Sequence, residues 1–372
     1  MKFNCSKSDL IDSISIVQKA IKTNSTVAIL DGILIQAEDD KVKLTGYDLE
    51  TGIEADLKSD VKADGSIVIN SRIFGEIVKK LPEEMVTIVT DDRNQVTIES
   101  GKSEFNIKGN SAESYPKIPV IETNNKITVS QKILKNMINH TIFAVSKDDT
   151  RQSLTGCNLV SDGSNITMVA IDGFRMALRR EDVGNEFPEM NFIIPGKTLN
   201  ESAKIFDGDD DDKEVIIYSS ANNLLFDVGD VRIISRLLSG PFVNFNSIIQ
   251  KNPKSVMNVN RKMLLEAIER ASLIIMTDER RCPVQLATTG TGSSSTLLVT
   301  ANTETGTLRE EIDVSIEGES IDIDFNSRYL IDALKNIDDD DVRIEFSGNQ
   351  GPCIIVPSEG NSYVYLILPI RR

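Results

Sequence analysis

Three stretches of this 372-residue chain share one pattern at nearly one spacing, and an internal repeat limits the possible folds more than any other feature. Val42-Lys-Leu-Thr-Gly-Tyr-Asp48, Ile166-Thr-Met-Val-Ala-Ile-Asp172 and Leu297-Leu-Val-Thr-Ala-Asn302 each read as an apolar strand. Each closes on a small residue and then Asp or Asn. Asp48 and Asp172 are 124 residues apart, and Asp172 and Asn302 are 130 apart. A second feature keeps the same phase. A strand runs into a basic residue and then a helix at Arg72 (helix over 73–81), Lys197 (198–206) and Arg328 (329–337), with steps of 125 and 131. An acidic turn and another strand follow each of these helices. A third feature opens each unit: the spacing predicts a short strand and then a helix over 8–22, 130–142 and 260–276. Leu10, Ile14, Val17 and Ile21 form the apolar stripe of the first. Ser130, Asn260 and Asn326-Ser327 are suited to cap helix starts.

The rest of each unit is short alternating strands broken by Gly, Asn and Asp turns. The expectation is an α+β protein of three duplicated domains, each with two helices and antiparallel sheets, over 1–122, 123–251 and 252–372. No apolar run of ~18 residues is present, so no transmembrane helix is expected. The start MKFNCSKSDLIDS has no apolar signal core. Cys5, Cys157, Cys282 and Cys353 lie far apart, which excludes a local Cys-x-x-Cys metal knuckle and suits a reducing cytoplasm. With His140 as the single histidine, a two-histidine zinc site is impossible.

A net charge of −16 argues against binding a polyanion, but the distribution argues the other way. The six helical segments carry fifteen Lys or Arg against seven Asp or Glu, a surplus of eight, so the remainder carries −24. Glu favours helices as much as Lys does, so propensity does not produce this split. It suggests helices that face a polyanion and acidic sheets that face away.

The residues also carry a likeness. Leu44-Thr-Gly-Tyr-Asp-Leu-Glu50, Val169-Ala-Ile-Asp-Gly-Phe-Arg-Met-Ala177, Val228-Gly-Asp230 with Ser235-Arg-Leu-Leu-Ser-Gly240, Val299-Thr-Ala-Asn302, Phe325-Asn-Ser-Arg-Tyr-Leu-Ile-Asp-Ala-Leu334 and Tyr365-Leu-Ile-Leu-Pro-Ile-Arg371 follow in family order. Over its full length the chain resembles the bacterial DNA polymerase III beta subunit, the sliding clamp. The resemblance implies a DNA-clamp fold, a head-to-tail homodimeric ring and a non-catalytic processivity factor in DNA replication, with no cofactor or metal. It implies double-stranded DNA, the replicative polymerase, other clamp-motif proteins and an ATP-driven loader as partners. Twelve helices at ~9 Å spacing would enclose a hole of about 25 Å, enough for a duplex.

By the same resemblance, Arg72, Lys147, Arg151 and Lys197 contact DNA. For Arg151 an ion pair with Asp148 or Asp149 is the alternative. Asn24, Gln152 and Ser153 depart from the pattern of well-studied members. The partner-peptide pocket is implied at Leu154, Ile171, Gly173, Phe174, Arg175, Met176, Val243, Ser247, Ile248, Asn326, Tyr329 and the tail residues Ile367, Leu368, Pro369, Ile370 and Arg371. Packing of the tail as a final core strand is the alternative there. Phe105 and the Leu273-Ile274-Ile275 patch are implied at the dimer interface, although the patch could equally be a helix tail buried in its own domain.

Two rival readings remain, an enzyme and a non-catalytic repeat scaffold that binds no nucleic acid; the enzyme reading has two possible sites. Asp207-Gly-Asp-Asp-Asp-Asp212 could hold a hard cation in a metal-dependent hydrolase, although the spacing is not that of an EF-hand. His140 could serve a Ser-His-Asp triad, but it sits in a helix without a nucleophile motif, and a surface or pore-lining role is expected. No GxxxxGK[ST] loop is present.

Overall fold

The computed structural model describes residues 1–22, 26–121, 126–184, 188–249, 252–275, 283–290 and 292–371. The expected domain boundaries, Asn24, Met276 and Cys282 fall at or within the gaps between these segments. The first repeat runs β1 (Lys2–Ser6), α1 (Lys7–Val17), β2 (Gly32–Glu38), β3 (Lys41–Tyr47), β4 (Thr51–Leu57), β5 (Ser59–Ala63), β6 (Gly65–Asn70), α2 (Ser71–Lys80), β7 (Met85–Thr90), β8 (Gln95–Ser100) and β9 (Ser103–Lys108). The second runs β10 (Lys126–Ser130), α3 (Gln131–Asn139), β11 (Gly156–Asp162), β12 (Asn165–Ile171), β13 (Arg175–Asp182), β14 (Met190–Pro195), α4 (Gly196–Ala203), β15 (Glu214–Ser219), β16 (Asn223–Asp227) and β17 (Val231–Arg236). The third runs β18 (Ser255–Asn260), α5 (Arg261–Ile275), β19 (Val284–Thr289), β20 (Gly292–Thr303), β21 (Gly306–Gly318), β22 (Asp322–Phe325), α6 (Ser327–Lys335), β23 (Asp341–Phe346), β24 (Cys353–Val356) and β25 (Tyr363–Ile367). Among the described residues, only β5 has no counterpart in the other two repeats.

The helices differ from expectation at their ends. The first stops at Val17 and continues as a 3-10 turn over Gln18–Ala20, where the Val17 carbonyl meets Gly46 of β3. A Cβ at Gly46 would lie 2.2 Å from that oxygen, so this position takes Gly. Asn70, Asn260 and Asn326 cap α2, α5 and α6 through side-chain oxygens that accept from the amides of Ile73, Met263 and Arg328. Ser130 does not cap α3; its buried hydroxyl has no partner. The neighbouring Gln131 ties that helix start down instead, donating from Nε2 to the Glu214 carbonyl and accepting from the Asp207 amide.

The chain divides into two compact units. One comprises Met1–Lys135 with Glu201–Leu237, the other Asn136–Asn200 with Leu238–Arg372. In the first, a five-stranded sheet is ordered β5-β1-β7-β8-β9 and an eight-stranded sheet β10-β15-β16-β17-β4-β3-β2-β6. In the second, twelve strands run β14-β11-β12-β13-β25-β24-β23-β18-β21-β20-β19-β22. All the ladders are antiparallel, and each repeat contributes two four-stranded sets, with β5 added at the edge of the first repeat's β1-β7-β8-β9 set. Strands from different repeats join edge to edge. Val231–Ser235 of β17 pairs with Thr51–Ala55 of β4, and Arg175–Arg179 of β13 with Tyr363–Ile367 of β25.

Strand alternation places Phe3, Ile33, Ile35, Leu44, Phe226, Phe325 and Phe346 in the cores with almost no exposure, and Phe74 of α2 and Phe206 after α4 join them. Cys5, Cys157 and Cys353 are buried free thiols, each pushed up to about 12 chiefly by desolvation. A thiol held that high supplies almost no thiolate near pH 8. Ellman's reagent should therefore modify at most one of the four cysteines in the native protein and all four in urea. Reaction of two or more native thiols would contradict this core.

Candidate functional site: a concavity beside an Arg175 node

Asp172 directly follows β12 and folds its carboxylate back into a turn. Oδ1 accepts from the amides of Phe174 (2.9 Å) and Arg175 (3.0 Å). Asp48 does the same in the first repeat for Glu50 and Thr51, so the repeated Asp is first of all a turn-former. Gly173, at φ +93°, completes the turn and leaves Phe174 at 59% exposure.

The Arg175 side chain turns inward, at 10% exposure. Nε donates to Asp172 Oδ2 (3.0 Å), Nη1 to Asp332 Oδ2 (2.6 Å) and Nη2 to the Phe143 carbonyl (2.6 Å). The guanidinium lies 4.5 Å from the Tyr329 ring centre and 5.5 Å from that of Phe143. A planar fork with five donors suits this arrangement, and an ammonium does not. Phe174 stacks on Tyr329 at 6.5 Å and 24°.

Beside this node opens a concavity of about 660 Å³, lined by Val145, Ser146, Lys147, Asp148, Thr150, Arg151, Leu154, Asp172, Gly173, Phe174, Arg175, Arg328 and Tyr329. It brings together five of the sequence-derived pocket residues with Lys147 and Arg151. Ile171 and Met176 lie beneath it in a buried cluster with Leu154, Val169, Leu178, Ile354 and Leu366, against which Phe242, Phe245 and Ile248 also pack. Val243 and Ser247 are exposed on that same segment. Asn326 serves as the cap of α6. The tail divides. Ile367 is buried in β25, and the Leu368 amide donates to the Phe174 carbonyl (2.9 Å). Pro369, Ile370 and Arg371 line a different concavity of about 490 Å³ with Asp322, Ile323, Asp324, Asn349 and Gln350. Phe143, Asp332 and Arg328 were not legible from the sequence as members of this site. Only the need of a strand-borne arginine for a carboxylate could have prompted a search for Asp332.

Five helices, α2 to α6, carry a cation at their second residue: Arg72, Lys132, Lys197, Lys262 and Arg328. All five are exposed, and none of these helices has an acid in its first turn. Positive charge there opposes the helix dipole at a cost of about 0.3–1 kcal/mol each. Lys132 pairs with Asp211 (2.7 Å), and Lys262 approaches Glu266 (4.0 Å). Among the described residues no carboxylate is within ion-pairing distance of Arg72, Lys147, Arg151 or Arg328, so Arg151 does not form the alternative pair with Asp148 or Asp149.

Two sequence readings need correction. His140 is neither on the surface nor free: it is 7% exposed, with Nδ1 2.8 Å from the Asn136 carbonyl and Nε2 3.4 Å from Asp338. The helix turn that ends α3 folds it inward. The Asp207–Asp212 run is not a cation site. Asp207 is drawn down to about 2 by the Lys213 ammonium (2.6 Å) and by the amides of Asp209 and Asp210, and Lys132 holds Asp211. No group of three potential metal ligands occurs among the described residues. Phe105 is partly exposed on the edge strand β9. Leu273 is 67% exposed at the end of α5, beside half-buried Ile274 and Ile275, so that tail is not sealed in its own domain.

Three family models cover the chain end to end: the DNA polymerase III beta subunit N-terminal domain over residues 1–119, its central domain over 128–244 and its C-terminal domain over 246–371. The chain belongs to the DNA polymerase III beta subunit family. It is a DNA sliding clamp, a non-catalytic processivity subunit of replication. The beta sliding clamps of Staphylococcus epidermidis and Staphylococcus aureus are each 37% identical to it over 380 residues, spanning 100% of this chain and 99% of theirs. Among solved structures, the DNA polymerase sliding clamp of Bacillus subtilis superposes with a TM-score of 0.95 at 37% identity, covering 100% of this chain and 99% of that one. The Streptococcus pyogenes beta subunit gives 0.94 at 28%, covering both chains completely. The three clamp repeats are therefore the units that the sequence periodicity marks. Among the described residues, no helix of this clamp is long and apolar enough to cross a membrane.

Proposed function

We propose that this clamp acts as a head-to-tail homodimer, with domains 1–122, 123–251 and 252–372 in each chain, closing a ring around duplex DNA in the cytoplasm. The pattern of strand junctions carries the reading. At one junction the last strand of one four-stranded set, β17, meets the last strand of the other set of the preceding repeat, β4. At the next, β25 meets β13 in the same way. The series calls for a third partner for β9, whose outer edge ends the five-stranded sheet, and the matching strand is β21. Its Gly306–Val314 stretch is paired on one side by β20, and β18 reaches only Ser315–Gly318. A second copy supplies that partner, and the heterologous contact closes when it is made twice. Phe105 on β9 and the patch Leu273, Ile274 and Ile275 are the apolar groups placed to be covered there.

Arg72, Lys147, Arg151 and Lys197 serve as contacts to the phosphate backbone, which position the duplex without reading its sequence. The concavity lined by Leu154, Gly173, Phe174, Arg175 and Tyr329 receives peptides of the polymerase, the loader and other partners. Ile171, Met176, Val243, Ser247, Ile248, Asn326, Ile367 and Leu368 support its walls, while Pro369, Ile370 and Arg371 belong to the separate concavity beside Asp324.

Retention on circular DNA tests the ring. A clamp placed on closed circular duplex by its loader should remain at high salt and leave once the circle is cut, because topology rather than charge holds it. Equal loss from intact and cut circles at high salt would reject the encircling dimer.

A further inference from the structure

We infer that Glu104 of one copy pairs with Arg309 of the next across the dimer contact, and that this pair sets the register of the contact and decides which strand β9 meets. The inference rests on the head-to-tail dimer reading above and deepens it. The two strand junctions within the chain share one register. In the first, Val231 lies opposite Ala55 and Ser235 opposite Thr51. The Asp56 amide donates to the Asp230 carbonyl at one end (2.8 Å), and the Arg236 amide to the Glu50 carbonyl at the other (2.8 Å). In the second, Tyr363 lies opposite Arg179 and Ile367 opposite Arg175, between Arg180 to Ser362 (2.7 Å) and Leu368 to Phe174 (2.9 Å). The hairpin turns carry this register onto the outer edges of β9 and β21. Asp48 and Asp172 each accept from the amide two residues on and close on Thr51 and Arg175. The Thr303 hydroxyl accepts likewise from the Thr305 amide (3.3 Å), and Thr303 pairs with Gly306. Gly306 therefore stands where Thr51 and Arg175 stand. The turn at Gly101 (φ +58°) closes on Ser103 as the turn at Gly229 (φ +89°) closes on Val231. The shared register then sets Ser103 opposite Glu310, Glu104 opposite Arg309, Phe105 opposite Leu308, Asn106 opposite Thr307 and Ile107 opposite Gly306.

Every position in this alignment is compatible. Phe105 and Leu308 meet on the inner face, where a Cβ at Gly306 would lie 3.9 Å from Ile274. On the outer face the exposed Glu104 meets the exposed Arg309, and one step further Lys102 meets Glu311. Glu104 accepts from Asn106 (2.7 Å) and Arg309 reaches Glu311 (3.1 Å), so both side chains lie along that face in the single chain. A slip of two residues one way sets Glu104 against Glu311 and Phe105 against Glu310. A slip the other way sets Lys102 against Arg309. A slip of one turns every side chain to the wrong face. The same position also tells the junctions apart. It holds Arg232 and Glu54 in the first (3.8 Å), Val364 and Leu178 in the second, and Glu104 with Arg309, at reversed polarity, between copies. Pairing β9 with β4 would oppose Glu104 and Glu54, and pairing β17 with β21 would oppose Arg232 and Arg309. Like charges directly opposite each other are destabilising, so the code favours the ring over the wrong edges.

The test is a charge swap in the full-length clamp, read as the dimer dissociation constant by sedimentation equilibrium at low salt. Glu104→Arg and Arg309→Glu should each weaken the homodimer by about ten- to a hundredfold, because each sets like charges together at both contacts. An equimolar mixture of the two variants should return to within about threefold of the wild type, because the mixed dimer has one contact of the original polarity and one of the reversed polarity. A chain carrying both changes should recover in the same way. The differences should shrink at ~1 M salt, where screening acts within ~3 Å. Single variants that dimerise like the wild type, or a mixture no tighter than its components, overturn the inference and leave the dimer standing. If Arg309→Glu does not fold, the milder cycle of Glu104→Gln and Arg309→Gln decides: the double variant should lose no more than either single one, and losses that simply add overturn the inference. A wild-type chain that stays monomeric overturns the dimer reading, and this one with it.

Discussion

Arg175→Ala should destabilise the unit that contains it by about 3 kcal/mol, read as a lower urea midpoint at unchanged slope. The arginine gathers three acceptors from three separate segments: Asp172 of the turn, Asp332 of α6 and the carbonyl of Phe143. Removing it leaves Asp172, at 13% side-chain exposure, without its cation. Asp332, at 32%, has more access to water and loses less. The guanidinium also fills the space against Tyr329 and Phe143, so the truncation opens a void as well as stranding charge. Arg175→Lys should recover little, because one ammonium cannot reach three acceptors in different directions. Asp172→Asn combined with Arg175→Met should recover more than half of the loss, because it removes the stranded charge and keeps the volume. Peptide affinity should fall with stability, since Tyr329 and Phe174 lean on the same guanidinium. A cost below about 1 kcal/mol for Arg175→Ala would mean that the node is ornamental, and the groove would need another support.

Much of this architecture was legible in the sequence because it is periodic. The small-residue-then-Asp signature recurs for a packing reason at Gly46 and a turn reason at Asp48 and Asp172, and both act within one repeat. The helix starts at Asn260 and Asn326 were readable because a cap is a local hydrogen bond. Ser130 misled because its hydroxyl is buried without a partner, while a neighbour, Gln131, ties the helix start to Glu214 and Asp207. The edge pairings were not legible. Alternation tells which face of β4 or β13 is buried, not which strand lies beside it, and the partners β17 and β25 are far away along the chain. The pocket was legible only by resemblance. Pro369, Ile370 and Arg371 are adjacent in sequence to Leu368, yet they line another concavity, because the Ile370 amide donates to the Asp324 carbonyl and draws the tail aside. Charge counting found the cationic helices but not their geometry. The basic residues expected just before the second helices lie inside their first turns.

That geometry gives stability and DNA binding opposite responses to one change. Arg72→Gln removes a cation from a helix start, where it opposes the dipole, so the thermal midpoint should hold or rise by about 1 °C. If Arg72 and Lys197 touch phosphates, binding of the double variant Arg72→Gln, Lys197→Gln to a short linear duplex at low salt should weaken by about ten- to a hundredfold. The slope of log affinity against log salt should become shallower by roughly two for each protomer. Binding should weaken uniformly across sequences, since backbone contacts read none. Ordinary solvated cations would leave affinity and slope unchanged, and cations that stabilise the fold would lower the midpoint when removed. Either result would show that the lysine and arginine at these helix starts are not kept for the duplex. The combination of an equal or higher midpoint with a shallower salt slope is expected only if the chain retains an unfavourable charge placement because DNA repays it.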